Sequence, residues 1–382
     1  MKFNSHIYFF MIACLFGRVY AADRPTAVTT AAPDINAKSF FLLDFDSGST
    51  LAEKDADKHI DPASLTKMMT AYIVDAEIQA GNLKRSEKVT ISDHAWRMGG
   101  IRMFTRVGTQ VAVEELLKSV IVQSGNDATV ALAEHIGGSE IAFAALMNQY
   151  AQRLGMTHSH FTNSTGLPNP NHYMTARDLA TLARAVIRDF PESYTWYSAK
   201  EYTYNGITQY SRNKLLWTDP TVDGLKTGYT GSAGFGLVAS AKKNGMRLIS
   251  VLLGSSSENV RADESLRLLN YGFIAFETHR LYVGQQPLAE TVIWKGDKKK
   301  LSLGLMSDLY VTIPRGQYKN LNASLDMRKR ILAPADKGQT FGSVKVKLGD
   351  HVYAEQTLVS LEPVAPGGFV NNVVDDMKLL FE

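Results

Sequence analysis

The chain has 382 residues, 45% hydrophobic and 21% charged, the balance of a soluble globular protein long enough for two domains with sizeable cores. Its formal net charge is only +3, so it lacks the electrostatic footprint of a nucleic-acid-binding protein. The single cysteine, Cys14, lies in an N-terminal apolar run.

That run reads as a signal peptide over residues 1–21. Lys2 supplies a basic n-region, and Ile7 to Phe16 is apolar but too short to span a bilayer comfortably. Val19-Tyr20-Ala21 has the small-x-small form of a cleavage site. A buried N-terminal helix is the alternative, but the segment has no amphipathic period. Met11-Ile12-Ala13-Cys14 is only faintly like a lipoprotein box, with Met where Leu is usual. Cleavage after Ala21 leaves an exported, periplasmic chain without cysteine, so disulfide and thiol chemistry are excluded. Residues 22–37, rich in Ala, Thr and Pro, read as a flexible lead-in.

The next unit is expected over 38–280. Ser39 to Asp46 predicts a strand, and Asp46-Ser47-Gly48 a turn. Met68, Met69, Tyr72, Ile73 and Ala76 repeat at helical spacing and predict a helix over Leu65 to Ala80, stopped by Gly81-Asn82. Further helices are expected over Val113 to Val122, Ala128 to Ile136 and Ile141 to Leu154. Thr175-Ala176-Arg177-Asp178 predicts a capping box opening another, which ends before Pro191. Then the period changes. Phe235 to Ala241 and Met246 to Leu253 flank Asn244-Gly245, a strong hairpin signal. Arg261 to Phe276 returns to helix. The fold class implied is α+β, an antiparallel sheet with helices packed on it.

From Leu281 the texture turns to short apolar segments between turn residues: Thr291 to Trp294, Leu309 to Ile313, Val344 to Leu348 and Thr357 to Leu361. This predicts a smaller all-β domain over 281–365. Residues 366–382 are distinct again. After Pro366-Gly367-Gly368, the residues Phe369, Val370, Val373, Val374, Met377, Leu380 and Phe381 share one helical face. A helix on a membrane surface through 369–382 is one expectation; a helix docked on the protein is the other. The opposite face carries Asp375, Asp376 and Glu382 against Lys378, the wrong sign for anionic lipid.

Three clusters carry chemistry. Ser64 opens a helix, and Lys67 returns to nearly the same face. A serine alcohol needs a neighbouring base, and burial with nearby cations would make the lysine one. Ser124-Gly125-Asn126 puts a hydroxyl and an amide on an inter-helix turn. Lys226-Thr227-Gly228 precedes the hairpin; its cation and hydroxyl suit a carboxylate, and the glycine permits close approach of a substrate backbone. Alone, each has an ordinary explanation: an N-cap with a solvent-facing lysine, a capped turn, a strand-edge lysine. Together and in this order, S-x-x-K, S-x-N and K-T-G form the motif set of penicillin-binding proteins and β-lactamases.

The stretches DPASLTKMMT (61–70), QSGNDA (123–128) and VDGLKTGYT (222–230) resemble the D-alanyl-D-alanine carboxypeptidases of the low-molecular-weight penicillin-binding family. So do the β-rich second domain and the terminal amphipathic helix. The resemblance implies a β-lactamase/transpeptidase-like domain in which Ser64 is the acyl nucleophile and Lys67 its base. It implies Ser124 and Asn126 as relay and substrate contact, and Lys226 and Thr227 as carboxylate binders. The backbone N–H groups of Ser64 and Tyr229 would form the oxyanion hole, with Arg261 helping to hold the terminal carboxylate. The implied substrate is a peptidoglycan stem pentapeptide, with β-lactams as covalent inhibitors. Two departures stand out: Tyr229 follows K-T-G where many relatives have His, and the loop around Met98 to Arg102 is shorter.

No H-E-x-x-H and no glycine-rich nucleotide loop occurs, so neither metal nor cofactor is expected. A class A β-lactamase is disfavoured because Gly125 replaces the Asp of S-D-N and no matching glutamate stands out. A D,D-endopeptidase would use the same motifs, a transpeptidase usually belongs to a larger chain, and an inactive wall-binding protein would not need all three motifs intact.

Overall fold

The computed structural model describes residues 32–379. The signal peptide with Cys14, most of the lead-in, and Leu380, Phe381 and Glu382 lie outside the described residues.

A five-stranded antiparallel sheet is built from β1 (Ser39–Asp44), β2 (Thr50–Lys54), β3 (Val222–Thr230), β4 (Gly234–Lys243) and β5 (Met246–Ser255). Its order is β2-β1-β5-β4-β3. Both faces of the sheet are covered, which explains why β1 is apolar without alternation. Phe41 and Leu43 of β1 enter the core on one face, while Phe40 and Leu42 enter the core on the other. Helices α1 (Lys67–Gln79), α2 (Val113–Val122), α3 (Asn126–Gly137), α4 (Glu140–Arg153) and α5 (Ala176–Asp189) build the first core; α6 (Glu258–Ala275) covers the second. Asn244 and Gly245 both have positive φ, 52° and 83°, as a two-residue hairpin of this twist requires.

The box expected at the start of α5 is half formed. Thr175 accepts the Asp178 N–H at 3.1 Å, but the Asp178 carboxylate turns away to the His158 N–H and Ser159 hydroxyl. The aspartate therefore anchors a distant loop instead of closing its own cap.

The change of architecture falls at the end of α6, earlier than the 280/281 boundary expected. Strand β6 (Phe276–Tyr282) already pairs with β9 (Leu309–Pro314). A second five-stranded sheet joins β7 (Pro287–Val292), β8 (Lys300–Gly304), β10 (Leu321–Met327), β11 (Thr340–Leu348) and β12 (His351–Ser360) in the order β7-β8-β12-β11-β10. The buried Asp44 carboxylate ties the domains together. It accepts from the Ser47 N–H and hydroxyl at 2.8 Å and from the Thr278 hydroxyl at 2.7 Å.

The terminal helix α7 (Phe369–Leu379) docks by its acidic face. Asp375 is buried; its carboxylate accepts the Lys295 N–H at 2.7 Å and pairs with Lys299 at 3.1 Å. Asp376 pairs with the Lys295 ammonium at 2.5 Å. The described side chains of the apolar face are left outward, with Phe369 84% and Met377 53% exposed.

Candidate active site

The turn that carries Ser64 is set before α1 begins. Asp61-Pro62 leads to Ala63, held at φ +49°, and a 3₁₀ turn over Ala63–Thr66 presents Ser64. Lys67, the first residue of α1, is 1% exposed, and its Nζ lies 3.0 Å from Ser64 Oγ and 2.9 Å from the Thr165 carbonyl. Burial pushes the Lys67 ammonium down to about 7, Arg212 pushes it the same way, and Glu140 opposes them. A neutral amine in contact with an alcohol at neutral pH can take its proton.

The loop that supplies the Thr165 carbonyl was not foreseen. Asn163 Oδ1 accepts the Thr165 and Gly166 N–H groups at 3.2 and 2.7 Å. Only glycine fits at 166: a Cβ there would lie 1.8 Å from the Ala63 carbonyl. Glu140 steadies the loop through the Ser164 N–H and hydroxyl. The cluster Asn163-Ser164-Thr165-Gly166 reads in sequence as a turn, with nothing to say which lysine it meets.

Ser124 sits between α2 and α3 at φ +73°, a conformation serine rarely adopts. The Ser119 carbonyl holds it there by accepting the N–H groups of Gln123, Ser124 and Gly125. The buried Ser124 Oγ has no hydrogen-bond partner among the described residues, so it is free to engage a reacting group. Asn126 is pinned to the loop before α2: its Nδ2 donates to the Gly99 carbonyl at 2.7 Å and its N–H to the Ile101 carbonyl at 2.7 Å. Asp127, also not foreseen, fixes that loop through the Met103 and Thr105 N–H groups at 2.7 and 3.0 Å.

Strand β3 forms the opposite wall. Lys226 is buried, and its ammonium is held well below the usual lysine range by burial and by the cations Lys67, Arg212 and Arg261. It donates to the neighbouring Thr227 carbonyl at 3.2 Å. Gly228 has a packing role of its own. A Cβ there would meet the Pro62 carbonyl at 2.8 Å, so the glycine lets β3 rest on the Ser64 turn. Tyr229 is exposed and packs on Phe235, ring centroids 4.3 Å apart. Arg261 is buried, donating to the Gly236 and Arg212 carbonyls at 3.5 and 3.1 Å, with its buried Nε unpartnered among the described residues. Arg212, missed in the sequence, stands more openly at the same end.

These segments enclose a cleft of about 500 Å³. Ser64, Ser124, Asn126, Thr227, Gly228, Tyr229 and Arg261 line it, while Lys67 and Lys226 are buried beside lining residues. The cleft brings an alcohol on a depressed lysine together with cations able to receive a carboxylate. Among the described residues no group of three or more His, Cys, Asp or Glu could hold a metal.

The fold and cleft are those of a serine acyl-transfer enzyme of the penicillin-binding class. Residues 26–257 match the family model described as D-alanyl-D-alanine carboxypeptidase (peptidase S11), and residues 276–365 match the penicillin-binding protein 5 C-terminal domain. The chain belongs to this family, as a serine-type D-alanyl-D-alanine carboxypeptidase and penicillin-binding protein. It is 43% identical over 361 residues to the D-alanyl-D-alanine carboxypeptidase DacC of Escherichia coli, covering 92% of this chain and 90% of that one. The crystal structure of penicillin binding protein 5 from Haemophilus influenzae superposes with a TM-score of 0.83 at 41% identity, over 87% of this chain and 98% of that chain. Penicillin-binding protein D2 of Listeria monocytogenes, solved in an ampicillin-bound form, is 28% identical with a TM-score of 0.58, over 63% of this chain and 98% of that chain.

Proposed function

We propose that Ser64 is the acyl nucleophile and Lys67 its general base, acting on the terminal D-Ala-D-Ala of a peptidoglycan stem pentapeptide. The observation that carries this is the 3.0 Å contact between Lys67 Nζ and Ser64 Oγ, with the lysine brought to about 7. Lys67 takes the hydroxyl proton as Oγ bonds to the carbonyl carbon. The oxyanion forms against the Ser64 and Tyr229 N–H groups. The C–N bond then breaks, and the leaving D-alanine receives the proton through Lys67 and the unpartnered Ser124 hydroxyl. Water attacks the ester carbonyl and gives a proton to Lys67; the acyl C–Oγ bond then breaks, Ser64 Oγ takes that proton back from Lys67, and the shortened peptide leaves with a new carboxyl group. Lys226, Thr227, Arg261 and Arg212 gather where the substrate carboxylate would lie, and Asn126 where the peptide would run. A β-lactam enters by the same first step.

Product analysis with a muramyl pentapeptide and, separately, a cross-linked dimer tests the substrate. Free D-alanine from the pentapeptide is expected. Cleavage of the dimer alone would make the enzyme an endopeptidase and overturn the choice of substrate.

The same reading places the mature protein on the outer face of the cytoplasmic membrane, exported by residues 1–21 and attached through α7. What supports attachment is the orientation of the helix. Asp375 and Asp376, which carry the wrong sign for lipid, are taken up by Lys299 and Lys295, and Phe369 and Met377 face outward. Burying each of these side chains in a bilayer contributes ~1.5–3 kcal/mol. The double variant Phe369→Glu/Met377→Glu, altered only at exposed positions, is expected to lose co-sedimentation with phospholipid vesicles that the parent shows. Equal sedimentation of the two would contradict attachment by this face.

A further inference from the structure

We propose that Asp61 is a positioning residue that sets the spacing of the two oxyanion donors, an inference that rests on Ser64 as nucleophile with the Ser64 and Tyr229 N–H groups as donors. These donors belong to different segments, the turn before α1 and strand β3, and catalysis requires them to converge on one oxygen.

The two segments touch at Gly228, where an added Cβ would lie 2.8 Å from the Pro62 carbonyl and 3.1 Å from Leu65 Cγ. Packing of this kind resists approach but does not by itself stop the strand from sliding along the turn. The directional restraint comes from the Asp61 carboxylate. Its Oδ1 accepts the Ala63 N–H at 2.9 Å, closing a turn that holds Ala63 at φ +49° immediately before Ser64. Its Oδ2 accepts the Thr230 hydroxyl at 2.9 Å and the Ser232 hydroxyl at 2.7 Å. Thr230 directly follows Tyr229, and its Oγ1 in turn accepts the Ala233 N–H at 3.0 Å, closing the turn into β4. Among the described residues, these are the only hydrogen bonds joining residues 61–67 to β3 or to the turn that follows it.

One oxygen of a single carboxylate therefore fixes the residue before one donor, and the other oxygen fixes the residue after the second. Hydrogen bonds to an ionised group are shorter and stronger than neutral ones, which suits a staple across two segments with no backbone ladder between them. Cutting it lets the donors drift apart without removing either. The cost then falls on the charged tetrahedral state and not on substrate binding.

Asp61→Ala is expected to lower kcat and the rate of acylation by benzylpenicillin about 10–100-fold, as a modest misplacement of reacting groups does. KM for the pentapeptide should change by less than about threefold, the pattern of an interaction made only in the transition state. Affinity for a peptide boronic acid, which carries the tetrahedral oxyanion, should fall with kcat. Asp61→Asn keeps an acceptor for Ala63 and offers an amide to the two hydroxyls, and should restore most of the rate. The double variant Thr230→Val/Ser232→Ala leaves Asp61 and its own turn in place and cuts only the arm to β3. It should match Asp61→Ala, and it carries the test if that variant fails to fold. Acylation at the parent rate in either folded variant would overturn the proposal. So would a loss confined to KM, unchanged boronate affinity, or an Asn variant as impaired as Ala. Acylation of Ser64→Ala under the same conditions would instead show that the nucleophile assignment beneath it is wrong.

Discussion

Ser64→Ala is expected to lower D-alanine release at least about 10⁴-fold and to abolish covalent labelling by a fluorescent penicillin, because removing the nucleophile of an acyl-transfer site leaves only binding and oxyanion stabilisation. The fold should be unaffected. Ser64 caps nothing, since neither the 3₁₀ turn nor α1 takes a side-chain hydrogen bond at its start, and its hydroxyl meets only Lys67 among the described residues. Noncovalent binding of the pentapeptide should persist, because the cations Lys226, Arg212 and Arg261 are untouched. A variant that still released D-alanine at the parent rate would move the nucleophile elsewhere.

The second large effect concerns Lys67 and carries a sign in pH. The lysine acts as a base only when neutral, and burial with Arg212 nearby lowers it to about 7. Below that pH the amine is protonated, so kcat/KM should fall about tenfold per pH unit; above it the profile should flatten. Lys67→Arg keeps the charge but cannot lose its proton near neutrality, and a loss of about 10³-fold is expected. Arg212→Gln removes a cation that favours the neutral amine, so the inflection should move to higher pH. Stopped-flow acylation by a chromogenic β-lactam across pH 5 to 9 measures all three. A flat profile, or a Lys67→Arg variant as fast as the parent, would contradict Lys67 as the base.

Much of this site was legible because its chemistry is local in sequence. Ser64 and Lys67 are three positions apart, on the 3₁₀ turn and at the first residue of α1, and Lys226 and Thr227 are neighbours on one strand, so residue types and spacing placed them. What joins them was not legible. The carbonyl that orients Lys67 comes from Thr165, the hydrogen bonds that stabilise the Met98 to Arg102 loop from Asn126 and Asp127, and the tie between turn and strand from Asp61. Each joins segments far apart in the chain, and no periodicity records such a contact. The left-handed Ser124 was hidden for a related reason: three N–H groups on the Ser119 carbonyl impose it, while the residue type argues against it.

The fold shows the same division. Helices with a buried apolar stripe and the Asn244-Gly245 hairpin were visible within a residue or a few. Strands β2 and β10 were not, because most of their side chains face solvent and their apolar residues are too few to mark a period. The short β7 and β8 were blurred by the Lys298-Lys299-Lys300 run that leads into β8. In α7 the amphipathic pattern was visible but not which face turns inward, since lysines brought by the β domain decide that.

The most direct measurement is intact mass and peptide mapping of the purified mature protein after exposure to benzylpenicillin. One penicilloyl adduct on the peptide containing Ser64, absent in Ser64→Ala, is the predicted result. An adduct on any other residue, or one that survives Ser64→Ala, would contradict the assignment of Ser64 as the nucleophile.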